Sequence, residues 1–336
     1  MDVFDLHQKP TALSKKHQFL AFILIISAAC ILPLIIYPKI ITQTYKSSVY
    51  ILLDLNYYCK TVFLYGLSFL MLLVLYIFMK KYRLEVKINV FLLLFVIWCL
   101  ASALVSPHKK VAFYGWATRW QGFFTYVCYF VLFLFVAAVF QKSSISHFLT
   151  CLFASGAIVS VHSLLQYYGI YPESYIIKYD GVKRISATIG NRNFLGSYMV
   201  ILTLTSLFYY LKNSKKSFVL FATSILFYCG LLASLTRGAW LGTLAAGIFT
   251  LALLAKDIKI IYKKLVIIAA SFILATVVLN VTSDMKISQR YENLKEQASI
   301  NNQADLLHFG SGRFFIYKKT FEIIVDKPIF GTGPDC

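Results

Sequence analysis

The sequence predicts an all-α membrane protein, a polytopic bundle of about nine transmembrane helices with an extracytoplasmic loop carrying short amphipathic helices. Three observations predict it. Hydrophobic residues make up 59% of the 336 and charged residues 14%, against roughly half and a quarter in a soluble domain. The apolar residues gather in runs near the bilayer-crossing length of about 20 residues at about 1.5 Å each. Most of the Lys and Arg excess falls in short loops between those runs.

Taken in order, the predicted spans are 19–37, 61–79, 88–106, 122–140, 148–170, 193–211, 217–235, 238–254 and 265–280. Residues 1–280 form the bundle, and 281–336 form an outer loop. The first run continues to Tyr37 without a small-residue cleavage site, so it reads as a span rather than a signal peptide. The 38-residue run from Ser217 to Leu254 would make one straight helix of about 57 Å, nearly twice the hydrocarbon thickness. It must turn back, and Arg237-Gly238 is where it can. In the outer loop, Phe314, Phe315, Ile316, Phe321, Ile323 and Ile324 are interleaved with Lys318, Lys319 and Glu322. That pattern predicts a short amphipathic helix on the membrane surface, broken by Gly331-Thr332-Gly333-Pro334. The chain stops at Cys336 in mid-loop.

Basic residues set the expected orientation. With the N-terminus cytoplasmic, Lys15, Lys16, Lys80, Lys81, Lys212, Lys256 and Lys259 fall inside, and the C-terminal loop falls outside. Arginine follows a different rule. Arg83 alone lies inside, whereas Arg119, Arg184, Arg192, Arg237, Arg290 and Arg313 lie outside. Lysine is a solvated point charge, but the guanidinium fork suits bidentate phosphate binding. The net charge of +19 therefore points to anionic lipid, or to an anionic lipid-linked substrate, rather than to nucleic acid.

Three strings concentrate these arginines on the predicted outer face. The first runs from Arg184 through Gly190, Asn191 and Arg192 to Asn193. The second is Ser234-Leu235-Thr236-Arg237-Gly238-Ala239-Trp240, and the third is Gly310-Ser311-Gly312-Arg313. Arg192 with Asn193, Arg237, and Arg313 each fall at a predicted helix N-terminus. Such a terminus presents unpaired N–H groups and a positive dipole end, and glycines let the backbone approach closely. A pyrophosphate at the membrane's outer edge would suit them. Interfacial arginines also snorkel to lipid headgroups, and the residues leave both readings open.

Other chemistry has little support. The seven cysteines show no CxxC spacing, and no metal-ligand pair, Walker motif, GxSxG or dinucleotide fingerprint occurs. No cofactor is implied. His162, near Gln166 in the fifth span, reads first as an interhelical hydrogen-bond partner. His108, His308, Asp180, Asp305, Glu322 and Asp326 are outer groups that loop solvation explains as well as base catalysis does.

At the same strings the sequence resembles the O-antigen ligase and polymerase superfamily of polytopic membrane glycosyltransferases. The stretches "RISATIGNRNFLG", "LLASLTRGAWLG" and "SGRFFIYKKTFEIIVDKPIFGTGPD" carry the resemblance over 184–336, with looser similarity at "SLLQYYGIYP" and "FYGWATRWQGFFTY". The resemblance implies a GT-C-like fold. It also implies metal-independent transfer of a glycan from undecaprenyl pyrophosphate to a glycan, lipid or protein acceptor hydroxyl outside the membrane. By that resemblance Arg184 and Arg237 hold the pyrophosphate, and Arg313 matches a third arginine position. Arg192, Asn193, Gly190, Gly238, Ser311 and Gly312 would line the substrate. The family's general base is a His followed by Asn, expected beyond Cys336. The competing reading is a transporter of an anionic solute or lipid-linked glycan, which predicts charged groups and broken helices at mid-membrane.

Overall fold

The structure, a computed structural model, describes residues 13–37, 40–45, 49–84, 86, 89–170, 178–179, 182–183, 185–212, 217–290, 292 and 313–336. Helices dominate them. Five helical stretches are long and apolar enough to cross a membrane: Lys15–Leu34, Leu55–Tyr82, Lys142–Tyr167, Arg192–Lys212 and Ala255–Val281. Four shorter apolar helices, Val90–Val105, Phe123–Val139, Phe218–Ala233 and Arg237–Leu253, occupy the other predicted spans. At about 1.5 Å per residue each of these four is about 24–26 Å long, somewhat under the hydrocarbon thickness.

Two small sheets modify the all-α expectation. Strands β1 (Ile40–Tyr45) and β2 (Val49–Asp54) pair antiparallel, with Ile40 opposite Asp54, and β3 (Lys178–Tyr179) pairs antiparallel with β4 (Val182–Lys183). Both are hairpins between helices. The first is rich in Ile, Val, Thr and Tyr, the types that fit a pleated surface.

The chain divides into two compact units, Met1–Leu149 with Glu322–Cys336, and Thr150–Phe321. In the first, α1 (Lys15–Ile26), α2 (Leu55–Tyr82) and α5 (Phe123–Val139) share a core. Ala21 and Leu24, Leu67, Met71 and Phe78, and Val131 and Phe135 fill it. His17 is tied to that core, its Nδ1 hydrogen-bonded to the Tyr82 hydroxyl at 2.7 Å. Helices α3 (Val90–Val105) and α4 (Lys109–Tyr114) pack beside α5. Asn89 caps α3, its Oδ1 accepting from the N–H groups of Phe91 and Leu92.

The second unit contains most of α6 (Ile145–Tyr167), then α7 (Arg192–Lys212), α8 (Ser217–Ala233), α9 (Arg237–Leu253) and α10 (Ile258–Val281). Helix α7 is the hub: it packs most closely on α8 and also on α9, and α10 packs chiefly on α8. Small and polar residues line these seams, as expected where apolar lipid removes the hydrophobic drive between helices. A Cβ on Gly230 would lie 2.8 Å from Ser160 Oγ and 3.2 Å from Met199 Sδ. Ser224 donates to Ser206 at 3.0 Å across α7 and α8.

The two ends of this unit differ in charge type. At one end, Lys264 donates to the Tyr210 carbonyl at 3.1 Å and Lys212 pairs with Asp257 at 3.2 Å, with Lys256, Lys259 and Lys263 close in sequence. The other end gathers the last residues of α6, α8 and α10 and the first of α7 and α9, and its cations include Arg192, Arg237 and Arg290.

Helix α11 (Arg313–Asp326) is the amphipathic helix that the sequence predicts. Its described side chains are exposed, the apolar Phe314, Phe315, Phe321 and Ile324 included. An apolar face left open in this way suits a helix lying in the membrane interface.

Candidate functional site

The arginine end of the second unit begins with a turn. The long apolar run of 217–254 breaks at Ser234-Leu235-Thr236, just before the expected Arg237-Gly238, and Arg237 opens α9. Leu235 adopts φ +50°, the left-handed conformation that directs the chain out of a helix and is costly for a branched side chain. Ser234 stabilises the turn, donating to the Leu231 carbonyl at 2.7 Å and accepting from the Thr236 N–H at 3.3 Å.

Thr236 stands at the N-cap of α9, yet its side chain does not cap the helix. Its hydroxyl donates instead to the Arg192 carbonyl at 3.0 Å and to the Ser234 carbonyl at 3.2 Å. The first contact binds the start of α9 to the start of α7. Gly196 makes the approach possible, since a Cβ there would lie 2.9 Å from the Ala239 Cβ and 3.1 Å from the Thr236 Cβ. Two helix N-termini, headed by Arg192 and Arg237, thus lie side by side, with no acidic residue in either first turn. Helix α7 is capped by Asn191, whose Oδ1 accepts from the Asn193 N–H at 2.8 Å. The Thr236 side chain makes no cap hydrogen bond to α9, so this N-cap residue does not offset the positive dipole end.

Two further elements close on this end. Gln166, buried in the last turn of α6, accepts through Oε1 from the N–H groups of Ser186 and Ala187 at 3.1 and 2.8 Å. Ala187 has φ +47° and Gly190 φ +95°, so the loop leading into α7 is tightly turned, and glycine suits its last bend. Ile185, Leu235 and Trp240 all pack against the buried cluster of Tyr167, Leu232, Ala233 and Leu279. The segment after α10 folds over the same place. Tyr167 is hydrogen-bonded to Ser283 at 2.6 Å, Lys286 donates to the Tyr167 carbonyl at 2.7 Å, and Arg290 Nε donates to the Leu235 carbonyl at 3.3 Å.

The expected site residues fare differently. Arg192, Asn193, Gly190, Arg237 and Gly238 all lie at this end, although a Cβ on Gly238 would meet nothing within 4 Å, so no close approach demands glycine there. Arg184, Ser311 and Gly312 lie outside the described residues, and Arg313 is described as the first residue of α11. His162 is buried in α6, one turn before Gln166. Asn191, Thr236, Gly196 and Gln166 were not singled out for these roles by sequence. The loop-bracing role of Gln166 has no local signature, because its partners are backbone groups.

The first unit has its own cluster at two stretches that carried the resemblance. Gly333, at φ +109°, sits against Ser106 and Ala112, where a Cβ would lie within 2.9 Å of both. Asp335, with 7% of its side chain exposed, accepts the Trp116 N–H at 2.6 Å and lies 4.0 Å from Arg119. Trp98 stacks on Phe330, and Ser102 donates to the Phe330 carbonyl. The "GTGPD" string is therefore seated on the loop before α5.

Among the described residues no His, Cys, Asp and Glu group could hold a metal ion. Residues 221–335 match the family model of the O-Antigen ligase. No curated protein and no solved structure matches the chain. The matched stretch begins in α8 and contains the Arg237 turn, Arg290, Arg313 and the seated "GTGPD" string, while the Arg184–Asn193 string precedes it. The match over residues 221–335, about a third of the chain, supports a relation of this multi-pass helical membrane protein to the O-antigen ligase-like superfamily.

Proposed function

We propose that the arginine end of the second unit binds the diphosphate of an undecaprenyl-pyrophosphate-linked glycan and promotes its transfer to an acceptor hydroxyl on the extracytoplasmic face. The observation that carries this reading is the pairing of α7 and α9 at their N-termini, through Thr236 and the Arg192 carbonyl at 3.0 Å. It sets two arginine-headed helix ends together where no acidic first-turn residue opposes an anion. Breaking a glycosyl–phosphate bond leaves extra negative charge on the departing diphosphate. Preorganised guanidinium groups and helix N–H groups lower the barrier by stabilising that charge as it develops.

In this scheme Arg237 and, by the resemblance, Arg184 hold the diphosphate, Arg313 is a third arginine of the site, and Arg192 helps to bind the substrate. Asn193, Gly190, Gly238, Ser311 and Gly312 line the substrate. The acceptor hydroxyl loses its proton to a general base, worth about 10²–10⁴-fold.

The test is Arg237→Lys in the full-length protein. Lysine keeps the charge and loses the bidentate fork, so glycan transfer should fall about 10²-fold at unchanged membrane levels, and Arg184→Ala should act similarly. Lys256→Ala, at the opposite end of the unit, should transfer normally. Undiminished transfer by Arg237→Lys would overturn the assignment.

A further inference from the structure

Arg290 lies beyond the three arginine strings, in a short helical turn over 286–290 after α10. The segment carrying it is stitched down along its length. The Thr282 and Ser283 hydroxyls bond to Tyr168 and Tyr167 at 2.8 and 2.6 Å. Lys286 donates to the Tyr167 carbonyl, with its ammonium 4.9 Å from the centre of the Tyr167 ring. Ile287 packs against the cluster formed by Tyr167, Leu232, Ala233 and Leu279, as Leu235 does. Arg290 Nε then reaches the Leu235 carbonyl at 3.3 Å.

That carbonyl is two residues before Arg237. It belongs to the left-handed residue of the turn, beyond the last residue of α8, so the helix supplies it no donor and one must come from elsewhere. Arg290 supplies one that is charged, and such bonds are the stronger kind. Thr236 fastens the turn to α7 on one side, and Arg290 fastens it on the other.

We propose that Arg290 is a positioning residue that orients Arg237 toward an anionic ligand by clamping the Leu235 carbonyl. This rests on the reading of Arg237 as a diphosphate ligand. An arginine that acts through Arg237 has no effect once Arg237 is disabled, whereas one that binds the anion itself retains its effect. A double-mutant cycle separates the two.

The experiment measures binding of inorganic pyrophosphate to the detergent-purified full-length protein as wild type, Arg237→Lys, Arg290→Gln and the double variant. Size-exclusion profile and thermal midpoint are recorded for each. Losing a charge-assisted hydrogen bond should weaken binding by about tenfold in the wild-type background. In the Arg237→Lys background the same change should alter affinity by less than about twofold. An equal loss in both backgrounds, or no loss in the first, overturns the positioning role while leaving the diphosphate reading intact. Failure of the wild type to bind pyrophosphate, or equal binding by wild type and Arg237→Lys, overturns the underlying reading and this inference with it. If Arg290→Gln does not accumulate as folded protein, Arg290→Lys replaces it in the cycle, because it keeps the charge and loses the Nε–H geometry.

Discussion

A buried glutamine shows how a single side chain can organise this end of the molecule. Gln166 accepts two backbone N–H groups from the loop that enters α7, and those donors are buried with Ser186 and Ala187. Gln166→Leu keeps the volume and removes the acceptor. Leaving such donors unsatisfied costs about 1–3 kcal/mol, so the thermal midpoint should fall, and Gln166→Glu, which keeps an acceptor oxygen, should lose less. Thermal unfolding of the three proteins in one detergent measures the difference. The arginines were legible in sequence by type and by their neighbours, and the structure puts Arg192 and Arg237 at helix starts. The different capping of those starts was not legible. Asn191 and Thr236 are both good N-cap residues, but only packing against α7 diverts the Thr236 hydroxyl to the Arg192 carbonyl.

Among the elements, contact between α7 and α9 depends on Gly196. The atoms facing it are Cβ atoms of Ala239 and Thr236 at 2.9 and 3.1 Å, which are fixed to the backbone and cannot swing away. Gly196→Ala should therefore push the two helix starts apart, with an overpacking cost of about 1–3 kcal/mol. Glycan transfer should drop with it. Gly230→Ala meets Ser160 Oγ and Met199 Sδ, which can rotate away, and the fixed Ser160 Cβ only at 3.3 Å, so its loss should be smaller. Comparing thermal midpoints and transfer activity for the two variants checks the ranking, and equal effects would contradict it. Helix type was legible because long apolar runs admit few other solutions in a bilayer. The two hairpins lie between the predicted spans, and strands of six and two residues are too short for an apolar-run count to reveal. Length requires a break in the 217–254 run and Arg237-Gly238 places it within a few residues, yet α9 packs on α7 more than on α8, which neither could foretell.

For the molecule as a whole, the gathering of Arg192, Arg237 and Arg290 at one end of the second unit, with Lys286 among them, and of Lys212, Lys256 and Lys264 at the other is the feature most directly open to test. The lysine end should face the cytoplasm and the arginine end the outside. Gly238 and Lys256 bracket α9, and both are exposed. In a cysteine-free background, an impermeant thiol reagent applied to intact cells should label Gly238→Cys and spare Lys256→Cys. Labelling of Lys256→Cys alone would invert the orientation and remove the proposed outer-face chemistry. A transporter of anions would instead concentrate charge at mid-membrane. In the second unit Arg192, Arg237 and Arg290 lie at one end, and among the described residues of α6 the buried His162 is a histidine rather than a fixed charge.

What the sequence determined by itself was the class of solvent and the kind of side chain exposed to it. Composition and run length require a bilayer, and guanidinium groups flanked by glycine and serine imply an anionic partner. Those inferences are local, since they depend on residue type and spacing along the chain. The tertiary structure alone decided that Thr236 would bond to Arg192, that Gln166 would brace residues 186–187, and that Arg290 would reach the Leu235 carbonyl. The partner in each of these contacts is a backbone group, which every residue carries. Only the path of the folded chain selects which one is met.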